Sequence, residues 1–272
     1  ERVLEPLRPW CDAVNATDNP AAHAHASNVA IAIALERLGT EAIMQVVCRD
    51  KNRIACQADI VGAALHGVEN VCCLTGDDVT AGDEPQARRV FDLDGPQLVR
   101  VMDGLRQGRY VSGRKLDPAP DLFVGAVENP FAPPHHYRIE RARLKSDAGA
   151  RFLQLQIGYE PERLAEFAAG CVANGTTART ALLPSICLTK SAKALEFMHD
   201  KVPGIVVPEA LRRRVALAAD VAEESYQVAL ELAQSFLATP GVAGIHITDF
   251  RHDGSLARLV TDLGLSGSAS AA

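Results

Sequence analysis

Seven short apolar runs, separated by helical patterns and each closing on polar residues, predict an α/β fold of the TIM (β/α)8 barrel class, its first strand missing upstream of Glu1. Regular strand–helix alternation calls for parallel strands joined by helical crossovers. Polar strand ends supply the ring of side chains that the mouth of such a barrel needs, and seven strands leave it one short of eight. No linker-like composition divides the pattern. Residues 1–265 are therefore expected to form a single barrel domain, with a disordered tail at 266–272.

Residues 1–9 read as the end of a helix leading into the first predicted strand, 13–17 (AVNAT), which closes on Thr17, Asp18 and Asn19. A helical pattern over 20–38 precedes the run 42–47 (AIMQVV), closing on Arg49-Asp50, and another covers 51–67. The run 70–75 (NVCCLT) ends in Thr75-Gly76-Asp77-Asp78, a strand that stops on carboxylates. Acids at the carboxyl end of a parallel strand present themselves to a ligand or cap the next turn, and both readings stand here. After a helix at 94–107 come 122–127 (LFVGAV), closing on Glu128-Asn129, a helix at 137–148, and 151–156 (RFLQLQ), ending in Gln156. A helix at 160–173 precedes 180–185 (TALLPS), which ends in Ser185. Helical patterns at 190–199 and 208–237 follow, the second long enough for more than one helix, and 242–248 (VAGIHIT) closes on Thr248-Asp249.

Composition narrows the function. At 272 residues and 47% hydrophobic content the chain can bury a full core, and no apolar run is long enough to span a bilayer. With 28 basic against 34 acidic residues the net charge is −6, a poor match to a surface that tracks nucleic-acid phosphates. Seven cysteines, with an adjacent Cys72-Cys73 pair and no C-x-x-C, argue against a disulfide framework and a zinc site and point to a reduced, cytoplasmic setting. No metal is expected, because His23 and His25 do not share a helix face and His135-His136 sit in a loop. Arg212-Arg213-Arg214 reads as a solvated helix face. Arg49, Asp50, Asn52 and Arg53 either hold a loop over a ligand or tie strand ends together.

Five stretches carry a resemblance: CRDKNRIACQADIVGAALHGVENVCCLTGDD (48–78), VFDLD (90–94), KSDAGARFLQLQ (145–156), VPGIVVPEAL (202–211) and GVAGIHI (241–247). In this order they resemble the methylenetetrahydrofolate reductase family over nearly the whole chain. The resemblance implies a TIM-barrel oxidoreductase of one-carbon metabolism that binds FAD. It would reduce 5,10-methylenetetrahydrofolate to 5-methyltetrahydrofolate for methionine biosynthesis, with NADH or NADPH as donor. It also implies roles. Asp77 matches the aspartate facing pterin and flavin, the expected catalytic and substrate-binding residue. Gln156 matches a glutamine that contacts folate and nicotinamide in turn, and Phe197 a phenylalanine that packs on whichever ligand is bound. Lys145 matches a lysine on the FAD phosphates. Thr17, Gln45, Thr75, Gly125 and Ala126 occupy flavin-contacting positions.

The chain departs from better-known bacterial members at three of these places, with Gln45 for a histidine, Thr75 for an arginine and Val127 for a tyrosine. Such losses suit either weaker FAD binding or a branch without tightly bound flavin. The family's general acid, a glutamate on its first strand, has no match in 1–272, so the native protein is expected to extend upstream by a strand and part of a helix. The alternative from another class is a non-catalytic folate-binding barrel that partners a methyltransferase or reductase. Long crossover helices offer surfaces for a homo-oligomer or such a partner.

Overall fold

The computed structural model describes residues 2, 4–202 and 204–265, so the expected disordered tail lies outside the described residues. Strands and helices alternate as the apolar runs require. They are β1 (Val14–Ala16), α1 (Asn28–Arg37), β2 (Ala42–Val47), α2 (Arg53–Ala64), β3 (Asn70–Leu74), α3 (Gly95–Arg106), β4 (Phe123–Glu128), α4 (His135–Ala148), β5 (Phe152–Ile157), α5 (Pro161–Ala173), β6 (Ala181–Leu188), α6 (Ala192–Lys201), α7 (Glu209–Ala216), α8 (Val221–Leu237), β7 (His246–Asp249) and α9 (Ser255–Asp262). Strand order follows chain order from β1 to β7, the topology of a TIM-like α/β fold. Helix starts are set by polar caps. Asn52 accepts from the N–H groups of Ile54 and Ala55, Asp94 and Gln97 form a reciprocal capping box, and Ser191 and Asp220 cap α6 and α8.

Packing divides the chain into two compact units, Ala13–Val127 with Leu144–Phe152, and Glu128–Arg143 with Leu153 onward and the residues before Ala13. In the first unit β1, β2, β3 and β4 pair in parallel, with Gln45 opposite Cys72 and Cys72 opposite Gly125. Residues alternate between faces. Met44, Val46, Val71, Cys73, Val124 and Ala126 make one face that is almost wholly buried, and α1 and α3 pack on β2 and β3. The other face carries Ile43, Asn70 and Phe123 in one row and Gln45, Cys72 and Gly125 in the next. Gly125 leaves room there for Phe152: a Cβ would sit 2.3 Å from its ring carbons. That ring stacks on Phe123, centroids 5.6 Å apart.

In the second unit β6 and β7 are parallel, with Ser185 opposite His246 and Cys187 opposite Thr248. Helix α8 packs on β6 and buries Tyr226, Ala233 and Phe236 completely. Its Ser225 hydroxyl donates to Thr189 O, and the Tyr226 hydroxyl donates to Asp262 on α9. No disulfide is formed among the described residues; Cys11 is half-buried and the other six cysteines are buried. Burial pushes the thiols of Cys48, Cys72, Cys171 and Cys187 up to about 12, that of Cys56 to about 11, and that of Cys73 far up as well.

Three expected elements come out differently. Of 20–38, only α1 is α-helical, because the Asn19 side chain accepts from His25 N–H and Asp83 from Ala24 N–H, giving the backbone other partners. Where 1–9 reads as the end of a helix, Arg8–Trp10 forms a 3-10 turn, and Pro9 withholds the N–H a helix would use. The run 242–248 touches β6 through a bridge at Val242 and pairs regularly only from His246.

Candidate functional site

Gly76 sets the path of the chain as it leaves β3. Its φ of +92° lies in the left-handed region, and a Cβ there would meet Val47 Cγ1 at 2.5 Å and Arg49 Cβ at 3.1 Å. The two acids that follow then separate in role. Asp78, exposed as well, is held along its own loop: its carboxylate accepts from Thr80 N–H at 3.0 Å and takes a bidentate pair from Arg89 at 2.6 and 2.7 Å. That guanidinium, with Thr80, holds the Asp78 carboxyl far below the usual carboxylate range. Asp77 is exposed, and its carboxylate has no hydrogen-bond or ion-pair partner among the described residues. Of the two readings of this strand end, the cap is Asp78 and the presented acid is Asp77.

Beneath Asp77 lies Arg49, whose side chain is 2% exposed. Its Nε and Nη2 grip Asp50 at 2.7 and 2.6 Å, Nη2 also reaches Asn19 O at 3.0 Å, and Nη1 donates to Asp77 O at 3.2 Å. The Asn19 amide completes the set by donating to Asp50 at 3.2 Å. Through its hydrogen bonds to Asp50, the pair raises the Arg49 guanidinium and lowers the Asp50 carboxyl. Beside it, Lys51 donates to Asp18 and to Asn28 at 3.0 and 3.1 Å and pairs with Asp59 at 3.0 Å. Burial would lower this ammonium, but the two carboxylates outweigh it and raise it. Asn52 caps α2 and Arg53 pairs with Asp92 at 2.8 Å. Of the four, Arg49 and Asp50 tie the exits of β1, β2 and β3 together, while Asn52 starts its own helix and Arg53 holds Asp92.

Thr75, half-buried, lines a shallow, open depression with Phe91, Leu93, Asp94 and Gln97. Sequence reasoning assigned no role to Phe91, Leu93 and Gln97. The signal was the VFDLD run, which here lies alongside the β2 exit, Val90 N–H donating to Arg49 O and Phe91 N–H to Cys48 O. Among the other expected cofactor residues, Thr17 is exposed and Gln45 half-buried, its carbonyl accepting from Asn28 at 2.6 Å. Gln45 and Gly125 share one row across Cys72, while Ala126 faces the helices. With Phe152 filling the space at Gly125, a ligand would meet that residue through its backbone. Lys145 is 4% exposed and donates to Val127 O at 2.6 Å, at the carboxyl end of β4.

The second unit holds the remaining two. Gln156 is half-buried, its Oε1 accepting from Ile157 N–H at 2.9 Å, and Phe197 on α6 is 60% exposed. Two further clusters were not read from the sequence. Ser185 Oγ donates to Leu155 O and lies 2.8 Å from His246 Nδ1, so with its one proton committed the hydroxyl accepts from an Nδ1–H tautomer of His246. Burial pushes this imidazole down to about 4. Glu128, also buried, has Arg138 at 3.5 Å and Arg141 at 3.6 Å. Among the described residues no group of three or more His, Cys, Asp or Glu side chains could hold a metal, and no helix is long and apolar enough to cross a membrane.

With this geometry in place, the family model for methylenetetrahydrofolate reductase matches residues 5–264. The chain belongs to the methylenetetrahydrofolate reductase family. Among solved structures, the fold is similar to that of an uncharacterized protein from Clostridium thermocellum that binds two copies of 5-methyl-5,6,7,8-tetrahydrofolic acid, at 15% identity and a TM-score of 0.57, covering 84% of this chain and 73% of that one. It is also similar to DmoA from Hyphomicrobium sulfonivorans, at 10% identity and a TM-score of 0.54, covering 98% of this chain and 82% of that one. No curated protein matches the sequence. At these identities the structural likeness speaks for the fold, and membership in the methylenetetrahydrofolate reductase family rests on the sequence match.

Proposed function

We propose that this chain reduces 5,10-methylenetetrahydrofolate to 5-methyltetrahydrofolate, with residues 1–265 acting as one catalytic domain. The observation that carries the reading is Asp77, exposed and with its carboxylate in no hydrogen bond or close ion pair among the described residues, at the end of β3 in a chain of this family. The Clostridium thermocellum protein, a structural neighbour that binds a methylated folate, supports folate as the substrate class. Reduction begins when the N10–methylene bond breaks, N10 taking up a proton from solvent, to leave a cationic N5 iminium, and a hydride added to that carbon makes the methyl group. A fixed carboxylate facing the cation stabilises it, and Asp77 can also accept from the amino-pyrimidine edge of the pterin. Within the second unit, the Gln156 amide can both donate and accept and the Phe197 ring is exposed, which suits the ligand-contacting roles that the resemblance implies for them. The hydride would come from FAD, with NADH or NADPH as the electron donor.

Purified full-length protein should be yellow and should convert methylenetetrahydrofolate with a reduced nicotinamide. Colourless protein with full activity overturns the flavin assignment, and inactivity with added FAD and both donors overturns the reaction. One observation favours a second reading, a non-catalytic folate-binding subunit serving a methyltransferase or reductase. The Lys145 ammonium is buried on a backbone carbonyl and not offered to solvent for a diphosphate.

A further inference from the structure

We infer that Arg49 is the residue that positions Asp77, an inference that rests on the proposed role of Asp77. The Asp77 carboxylate makes no hydrogen bond or close ion pair among the described residues and feels Arg49 only as a nearby charge, so its direction is inherited from the backbone that carries it. That backbone is held at two points. Gly76 packs against Val47 and Arg49 in a left-handed conformation, and the Asp77 carbonyl receives Nη1 of Arg49. The same guanidinium binds the carbonyl of Asn19 after β1 and the carboxylate of Asp50 after β2, so a single planar group sets the relative placement of three loops. Asp78, one residue on, is tied to Arg89 and Thr80, which fixes the far side of Asp77.

The arrangement needs a guanidinium. Three nitrogens on one rigid plane meet three acceptors in different directions, and the ammonium of a lysine offers a point charge on a flexible stem that cannot hold all three. With the side chain 2% exposed, water does not replace a lost donor. A shift of about 1 Å in a reacting group costs on the order of 10²-fold in rate, so loosening this loop should act on turnover.

The test is Arg49→Lys, Asp77→Asn and the double variant in the full chain, measured by methylenetetrahydrofolate turnover and by hydrogen exchange of residues 75–78. Arg49→Lys should lower kcat by roughly 10- to 100-fold with KM changed much less, and exchange should quicken in 75–78 ahead of the rest of the unit. Because Arg49 acts through Asp77, adding Arg49→Lys to Asp77→Asn should cost little more than Asp77→Asn alone. Additive losses, or an unchanged kcat, overturn the inference. If Arg49→Lys does not fold, Asp50→Asn, which keeps shape and removes the charge gripping the guanidinium, replaces it with the same expected pattern at smaller size. Wild-type protein that turns over no folate overturns the proposed function, and the exchange result then decides the inference: unchanged protection of 75–78 refutes it.

Discussion

Acid should unfold this protein in part through one imidazole. His246 lies against Ser185 on the paired strands β6 and β7, and burial pushes it from an ordinary 6.5 down to about 4. Between those values the unfolded chain binds a proton that the folded chain refuses. The stability held by the neutral ring is therefore complete above about pH 6.5, declines as pH falls through the window, and is gone near pH 4. A shift of this size corresponds to about 3 kcal/mol, a sizeable share of a typical folding stability of roughly 5–15 kcal/mol. Urea unfolding of wild type and His246→Gln at a series of pH values from about 7 to about 4 isolates the effect. Glutamine can still donate to Ser185 but does not titrate, and carboxylates such as Asp92 and Glu223, held low by Arg53 and Arg258, are common to both proteins and cancel. The wild type should lose about 3 kcal/mol more than the variant across the window. Parallel curves would refute the claim that the folded protein keeps His246 neutral.

Asp77→Asn keeps the shape and removes the charge, so folate turnover should fall by about 10²-fold with the unfolding midpoint unchanged; an unaltered rate would make Asp77 structural. Gly76→Ala combines a left-handed residue with a Cβ 2.5 Å from Val47 Cγ1 and should cost about 2–4 kcal/mol, read as a lower denaturant midpoint. Gly125→Ala should destabilise by a similar amount, about 2–4 kcal/mol. Adding Phe152→Leu should recover part of it, and no recovery would show that the ring is not the obstacle. Phe197→Ala should raise the KM for folate and leave stability within about 0.5 kcal/mol, since the ring is 60% exposed; a large stability loss would place it in the core.

Local order was legible wherever a long apolar run or helical period spoke for itself. The helices expected at 51–67 and 94–107 start within a residue or two of their expected positions, where Asn52 and the Asp94–Gln97 box cap them, and the runs at 42–47 and 70–75 are strands almost residue for residue. Boundaries failed where side chains far along the chain intervened, as where Asp83 takes the Ala24 N–H and shortens the first helix. The site followed the same division. That strand β3 would end in acids could be read directly, but which acid caps and which faces outward depended on Arg89, eleven residues away. The partnership of Ser185 with His246 spans 61 residues, and no local pattern announces it. The grip of Arg49 on three loops is likewise a property of strand order, which places the exits of β1, β2 and β3 side by side.

Six of the seven thiols are buried, and raised pKa values leave them almost entirely protonated at neutral pH. A thiol near 12 presents only on the order of 10⁻⁵ of its population as thiolate at pH 7, so alkylating reagents cannot attack it in place. Labelling must wait for the chain to open. Cys171 and Cys187 lie in one unit and Cys48, Cys56, Cys72 and Cys73 in the other, which turns the native cysteines into two sets of built-in clocks. Mass spectrometry of their modification over time would reveal whether the two units open together or one at a time, with no label engineered into the protein.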